Sequence, residues 1–126
     1  MTLTSSTTTW TNGNTYILSS DVTITQRIMV YGNVTLQLGS GYTLTSKEGI
    51  RVEYDDNAST RGVLTITGNG TLDIPGDDLD DFISGISVNS SNELHIEGVI
   101  VRAHAGKNAP GIGVANVFIS GGTVDA

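Results

Sequence analysis

The sequence predicts an all-β chain wound as a parallel β-helix, a β-solenoid of about four rungs with an N-terminal cap. Three observations carry that expectation. Three short strand-like phrases recur in the same order along the chain. Apolar residues alternate within each phrase, the period of a half-buried strand. Insertions fall between phrases and never inside them, as in a solenoid whose rung is fixed and whose loops vary.

The opening, residues 1–26, reads as a cap followed by a first partial rung, and residues 27–126 as the rungs of one domain. Trp10 and Tyr16 fall where the cap would cover the open end of the core. The first phrase is RIMV at Arg27–Val30, GIRV at Gly49–Val52, GISV at Gly85–Val88 and GIGV at Gly111–Val114. The second is VTLQL at Val34–Leu38, LTITG at Leu64–Gly68, LHIEG at Leu94–Gly98 and VFISG at Val117–Gly121. The third is YTLTS at Tyr42–Ser46, TLDI at Thr71–Ile74, IVRA at Ile100–Ala103 and TVDA at Thr123–Ala126.

Alternation then assigns the faces. Ile28, Val30, Ile50, Val52, Ile86 and Val88 point inward on the first wall, Leu36, Leu64, Ile66 and Ile96 on the second, and Leu44, Leu72 and Val101 on the third. Outward residues form ladders: Thr35, Thr65, His95 and Phe118 in one, Gln37, Thr67, Glu97 and Ser120 in the next. On the third wall Thr45, Asp73, Arg102 and Asp125 align. Opposite charges on neighbouring strands contribute up to about 1 kcal/mol. The alternative fold is an antiparallel β-sandwich, for which Asn12-Gly13 supplies a hairpin signal. A sandwich has no reason to repeat three phrases in one order.

A net charge of -7 and the absence of cysteine narrow the function. Nucleic-acid binders carry a basic footprint, so nucleic acid is excluded as a partner. No disulfide or thiolate chemistry is available. No apolar run reaches membrane-spanning length, so no membrane insertion is expected. The start lacks the basic and apolar regions of a secretory signal. With the abrupt ending, this reads as a segment cut from a longer array.

Sites of chemistry are sparse. GIGVAN has two of the three glycines of a dinucleotide fingerprint but no following helix, and its sibling phrases replace the second glycine. It reads as a rung strand. Asp77, Asp78, Asp80 and Asp81 crowd one inserted loop, and Asp55 and Asp56 another. Hard oxygen ligands so dense could hold Ca²⁺, against the alternative of a solvated acidic loop. The strand-borne acids Asp73, Glu97 and Asp125 do not form the close pair on one face that glycoside cleavage needs. No nucleophile elbow or zinc motif occurs. The outward threonines are too interrupted for a regular ice-binding array. Aromatic rings cover the apolar faces of sugars, which makes Tyr54 and Phe118, with His95 beside the latter, candidate ligand contacts. An uncapped solenoid end is a template for pairing, so Gly111, Val114, Val117, Ile119 and Val124 form a candidate edge for self-association.

The stretch NAPGIGVANVFISGGTVDA resembles the Gly-rich repeats of large secreted and surface proteins of gut-type bacteria. The matches are Ala109, Gly111, Ile112, Gly113, Ile119, Gly121, Gly122, Thr123, Val124 and Ala126. Val114 departs from the pattern, and so do the acidic inserts. The resemblance implies a right-handed β-helix in an extracellular, adhesin-like or carbohydrate-associated protein, without catalytic residues. The expectation is therefore a non-enzymatic structural or glycan-binding module. The rivals are a remnant of a polysaccharide-active β-helix enzyme and a self-assembling module that stacks end to end.

Overall fold

The computed structural model describes residues 1–76, 79, 83–88, 91–114 and 116–126, with the backbone alone for Val114. The described chain is all-β and coils as a parallel β-solenoid. The first sheet holds β1 (Thr9–Trp10), β4 (Ile28–Tyr31), β7 (Ile50–Glu53), β10 (Ile86–Val88) and β13 (Ile112–Val114). The second holds β2 (Thr15–Leu18), β5 (Asn33–Leu38), β8 (Val63–Gly68), β11 (Glu93–Glu97) and β14 (Val117–Ser120). The third holds β3 (Val22–Ile24), β6 (Thr43–Ser46), β9 (Thr71–Ile74), β12 (Ile100–Ala103) and β15 (Thr123–Asp125). Each sheet thus has five strands, and about four turns of the coil separate the first from the last.

Every pairing between these strands is parallel, which removes the sandwich. The coil itself supplies the crossover that parallel neighbours require. Asn12-Gly13 is correspondingly no hairpin: it turns the chain from the first sheet into the second, with Gly13 at φ 85°.

Register follows the alternation. Ile28, Ile50, Ile86 and Ile112 stack in one column, and Val34, Leu64, Leu94 and Val117 in another. The inward apolar side chains of the first four coils are buried and form a single core, with Val22 half-buried against it. A single rung could not bury its own apolar face; stacking does, at about 1.5–3 kcal/mol for each fully buried aliphatic side chain. The outward columns also hold: Thr35, Thr65, His95 and Phe118 are consecutive partners, as are Thr45, Asp73, Arg102 and Asp125. The charged ladder, however, forms no ion pair. Arg102 has no carboxylate oxygen within 4 Å among the described residues, and Asp125 lies 3.7 Å from His104 instead.

Residues 1–26 do more than cap, because they contribute one strand to every sheet. Trp10 and Tyr16 stack with ring centroids 5.5 Å apart and are buried in the first coil beside Leu18 and Ile24. Their polar atoms are satisfied locally: Trp10 Nε1 donates to the Thr7 carbonyl at 2.9 Å, and the Tyr16 hydroxyl accepts from the Thr11 amide at 2.9 Å. Leu3 is buried against this end, and Thr2 pairs with Ile17 along the edge of β2 that faces away from β5.

Close stacking fixes particular residues. Gly68 has φ 105°, and a Cβ there would run into the Leu38 carbonyl of the preceding coil. A Cβ at Gly111 would run into the Ala103 carbonyl. Ser46 is the exception to apolar filling. It sits beside Ile24 in the core, and its Oγ has no hydrogen-bond partner among the described residues.

Candidate functional site

An open cleft of about 260 Å³ lies at the C-terminal end of the first sheet's strands, lined by Thr11, Tyr31, Tyr54, Asp55, Asp56 and Asn57. Its walls come from three successive coils. Thr11 follows β1, Tyr31 ends β4, and Tyr54 to Asn57 begin the insertion that leaves β7. Tyr31 is brought there by register, since it pairs with Glu53, the residue before Tyr54. Tyr31 is half-buried and Tyr54 is 46% exposed. Two tyrosines therefore line the cleft together with four polar residues.

The insertion, residues 54–61, is held in shape by its own backbone. Asp55 and Thr60 exchange two amide-to-carbonyl bonds of 2.9 and 3.1 Å, which close it as a small antiparallel loop. Asp55 Oδ1 accepts the amides of Asn57 and Ala58 at 3.0 and 3.2 Å, the turn geometry that aspartate favours. That oxygen is committed to the turn. Asp56 and Asn57 are exposed and carry no such duty.

Both flanking coils grip the base of the insertion. The Gly32 amide donates to the Glu53 carbonyl at 3.1 Å, and the Gly32 carbonyl accepts from the Val63 amide at 2.9 Å. From the other side the buried Asn92 reaches down with its amide. Its Oδ1 accepts the Gly62 amide at 2.8 Å and its Nδ2 donates to the Val52 carbonyl at 3.2 Å. One side chain thus joins Val52, in the strand that leads into the insertion, to Gly62, the residue just after it. Nothing in the local pattern around Asn92 marks it, because its partners lie 30 and 40 residues away.

The remaining expected sites fall elsewhere. His95 and Phe118 meet on the outer face of the second sheet, their rings stacked at 4.7 Å and 16°. Glu93 Oε1 lies 2.9 Å from His95 Nε2, and Glu93 Oε2 lies 3.4 Å from Arg61 Nη1. The hydrogen bond to His95 holds the Glu93 carboxyl below the usual glutamate range, with the charge of Arg61 adding to the effect. Tyr54 takes no part in this group. The three expected ligand contacts are thus divided, His95 and Phe118 on the second sheet and Tyr54 in the insertion after β7.

Asp77, Asp78, Asp80 and Asp81 lie outside the described residues. Among the described residues no three histidine, aspartate or glutamate side chains come together as ligands for a metal ion. Asp73 stands on the third sheet and Glu97 on the second, so the strand-borne acids remain apart. Gly111 is buried by packing, Val117 and Val124 are half-buried at the core's end, and Ile119 is 57% exposed on the outermost strand of its sheet. Val114 pairs with Val88 through its backbone.

Comparisons with protein-family models, with curated proteins and with solved structures find no match for this chain.

Proposed function

We propose that the chain is a non-enzymatic glycan-binding module of an extracellular or bacterial surface protein, and that the cleft between Tyr31 and Tyr54 is its sugar site. The observation that carries this reading is the composition of the cleft. Two tyrosines, the exposed Asp56 and Asn57, and Thr11 line a space of about 260 Å³, enough volume for a sugar ring. Sugars present the matching surface, an apolar ring face edged with hydroxyls. Tyrosine adds contact area at low entropic cost, and Asp56 and Asn57 offer acceptors and donors to hydroxyl groups. The likeness of residues 109–126 to extracellular Gly-rich repeats supports the location.

Binding fits this site better than cleavage. Hydrolysis by two carboxyls needs one acid and one base placed across the bond. Of the two acids here, Asp55 is tied to its own loop through two backbone amides.

The test is a titration with a panel of neutral oligosaccharides, followed through the tyrosine ring resonances and paired with a reducing-sugar assay. The expected result is millimolar or tighter binding that shifts Tyr31 and Tyr54 and releases no reducing ends. Tyr54→Ala should weaken it about tenfold, the scale of losing one stacked aromatic contact. Unmoved tyrosines across the panel would sink the reading.

A second reading has its own observation. β13, β14 and β15 are terminal in all three sheets, and residues 111–126 carry a single charged side chain, Asp125. Edge strands are ordinarily guarded by charge. We infer that this edge accepts a further β-strand layer from a second copy of the chain. Concentration-dependent sedimentation of the chain, abolished by Ile119→Lys, is the expected result. A monomer at millimolar concentration argues against pairing between copies.

A further inference from the structure

We propose that Arg27, Arg51 and Ser87 form an oxyanion site on the outer face of the first sheet, which receives a carboxylate or sulfate carried by the glycan in the neighbouring cleft. Only the source of the anion rests on the glycan reading; the site itself stands on separate residues.

Met29, Arg51 and Ser87 occupy one outward row on β4, β7 and β10. Arg27 lies one residue before β4, yet its side chain reaches the fourth coil. Its Nη1 donates to the Glu48 carbonyl at 2.7 Å and its Nη2 to the Ser87 hydroxyl at 3.1 Å. The guanidinium therefore lies across the third coil, next to Arg51. Gly49 lies directly beneath: a Cβ there would run into the Gly85 carbonyl and stand 3.3 Å from Arg27 Nη1.

The arrangement is held in place and rich in donors. Arg27 is half-buried and tied at two points, so little is lost in ordering it. A guanidinium has five N–H donors in a planar fork. Arg51 spends its Nε on Glu53, and its Nη groups have no hydrogen-bond partner among the described residues.

The charges at the site are unevenly answered. Two of the chain's six lysine and arginine residues are brought side by side. Among the described residues no carboxylate oxygen lies within 4 Å of Arg27. Burial first, and then the charge of Arg51, lower the Arg27 guanidinium from its usual value, while Glu48 opposes the change. An oxyanion between the two forks would relieve that repulsion and accept charge-assisted hydrogen bonds. The net charge of -7 does not forbid this, since charges beyond about 8 Å are largely screened at physiological salt.

Geometry links the site to the cleft. Arg51 and Glu53 are two residues apart on one face, roughly 7 Å along the strand. Glu53 is the register partner of Tyr31, which lines the cleft. A sugar seated between the tyrosines thus places its neighbour's substituent near the arginines. The preferred ligand is therefore an acidic oligosaccharide, a neutral one binding more weakly through the cleft alone.

The experiment follows the arginine Nε–Hε and tyrosine ring resonances of the full chain during four titrations. The probes are inorganic sulfate, a glucuronate-containing oligosaccharide, a sulfated one, and a neutral one of equal length. Sulfate should shift Arg27 and Arg51, and at least one acidic oligomer should bind about tenfold more tightly than the neutral one, the worth of one charge-assisted hydrogen bond. Arg51→Gln, at an exposed position, should keep the melting temperature and erase that preference while neutral binding persists. Arginines unmoved by every anion, or a preference that survives Arg51→Gln, overturn the proposal. If neutral sugars still shift Tyr54, the cleft reading outlives it. If sulfate shifts the arginines while no sugar shifts Tyr54, the anion site stands and the glycan reading falls.

Discussion

Replacing Asn92 by alanine tests how the coil supports its cleft. The substitution removes an acceptor from the Gly62 amide and a donor from the Val52 carbonyl, both in buried residues. Each buried group left without a partner costs about 1–3 kcal/mol. Water entering the vacated space recovers part of this, leaving a net loss of about 2–4 kcal/mol. For a chain of 126 residues the unfolding entropy is about 0.26 kcal/mol/K. The melting temperature should therefore fall about 8–15 °C. Differential scanning calorimetry measures the fall, and hydrogen exchange at Gly62 localises it. Because Asn92 joins both ends of insertion 54–61, ligand affinity at the cleft should fall together with stability. A drop of less than about 3 °C with the Gly62 amide still protected would refute the clamp, since it would mean that neither bond carries net weight.

Further substitutions probe the core and the outer face. Ser46→Ala removes a buried hydroxyl without a partner, so urea denaturation should show a gain of about 1 kcal/mol. A loss would mean that the hydroxyl is bonded after all. Gly68→Ala combines a positive φ with a Cβ driven into the Leu38 carbonyl, and should cost about 1–3 kcal/mol in the same assay. An unchanged midpoint would contradict the close stacking of these coils. Glu93 has a lowered folded-state pKa, so its stabilising contribution is present above the ordinary glutamate value of 4.5. That contribution is lost as pH falls through the lowered value. Stability curves of the wild type and Glu93→Gln should differ at neutral pH and converge in acid. A gap that persists in acid, once the Glu93 carboxyl is fully protonated, would disprove the assignment.

Much of the fold is legible along the chain because its period is local. A strand turns alternate side chains to opposite faces, so Ile28, Ile50 and Ile86 declare themselves inward and Thr35, Thr65 and His95 outward without reference to distant residues. The repeated phrases then set the register, and with it the His95–Phe118 stack. The opening segment is less transparent. Its strands have only two to four residues, and its Asn-Gly pair is a signal shared by hairpins and solenoid turns. Trp10 and Tyr16 were readable as cap residues, but their place inside a complete first coil was not.

The candidate site was half visible. Tyr54, Asp55 and Asp56 stand out as an aromatic beside acids, and Tyr31 as one more aromatic among several. Thr11, Asn92 and Arg27 carry no local mark. Opposite charges in register also proved insufficient, because Arg102 shares a column with Asp73 and Asp125 and pairs with neither.

By itself, then, the sequence determined the coil, its three walls and the sorting of inward from outward residues, since these follow from a period of two and a repeated order of phrases. The tertiary structure decided what the coil presents. It carried Tyr54 across to Tyr31, tied Asp55 into its own turn, and set Asn92 beneath an insertion 30 residues upstream. It also laid Arg27 over the third coil to reach Ser87, 60 residues on. Those placements depend on loop length and side-chain reach between stacked coils, which alternation along one strand does not encode.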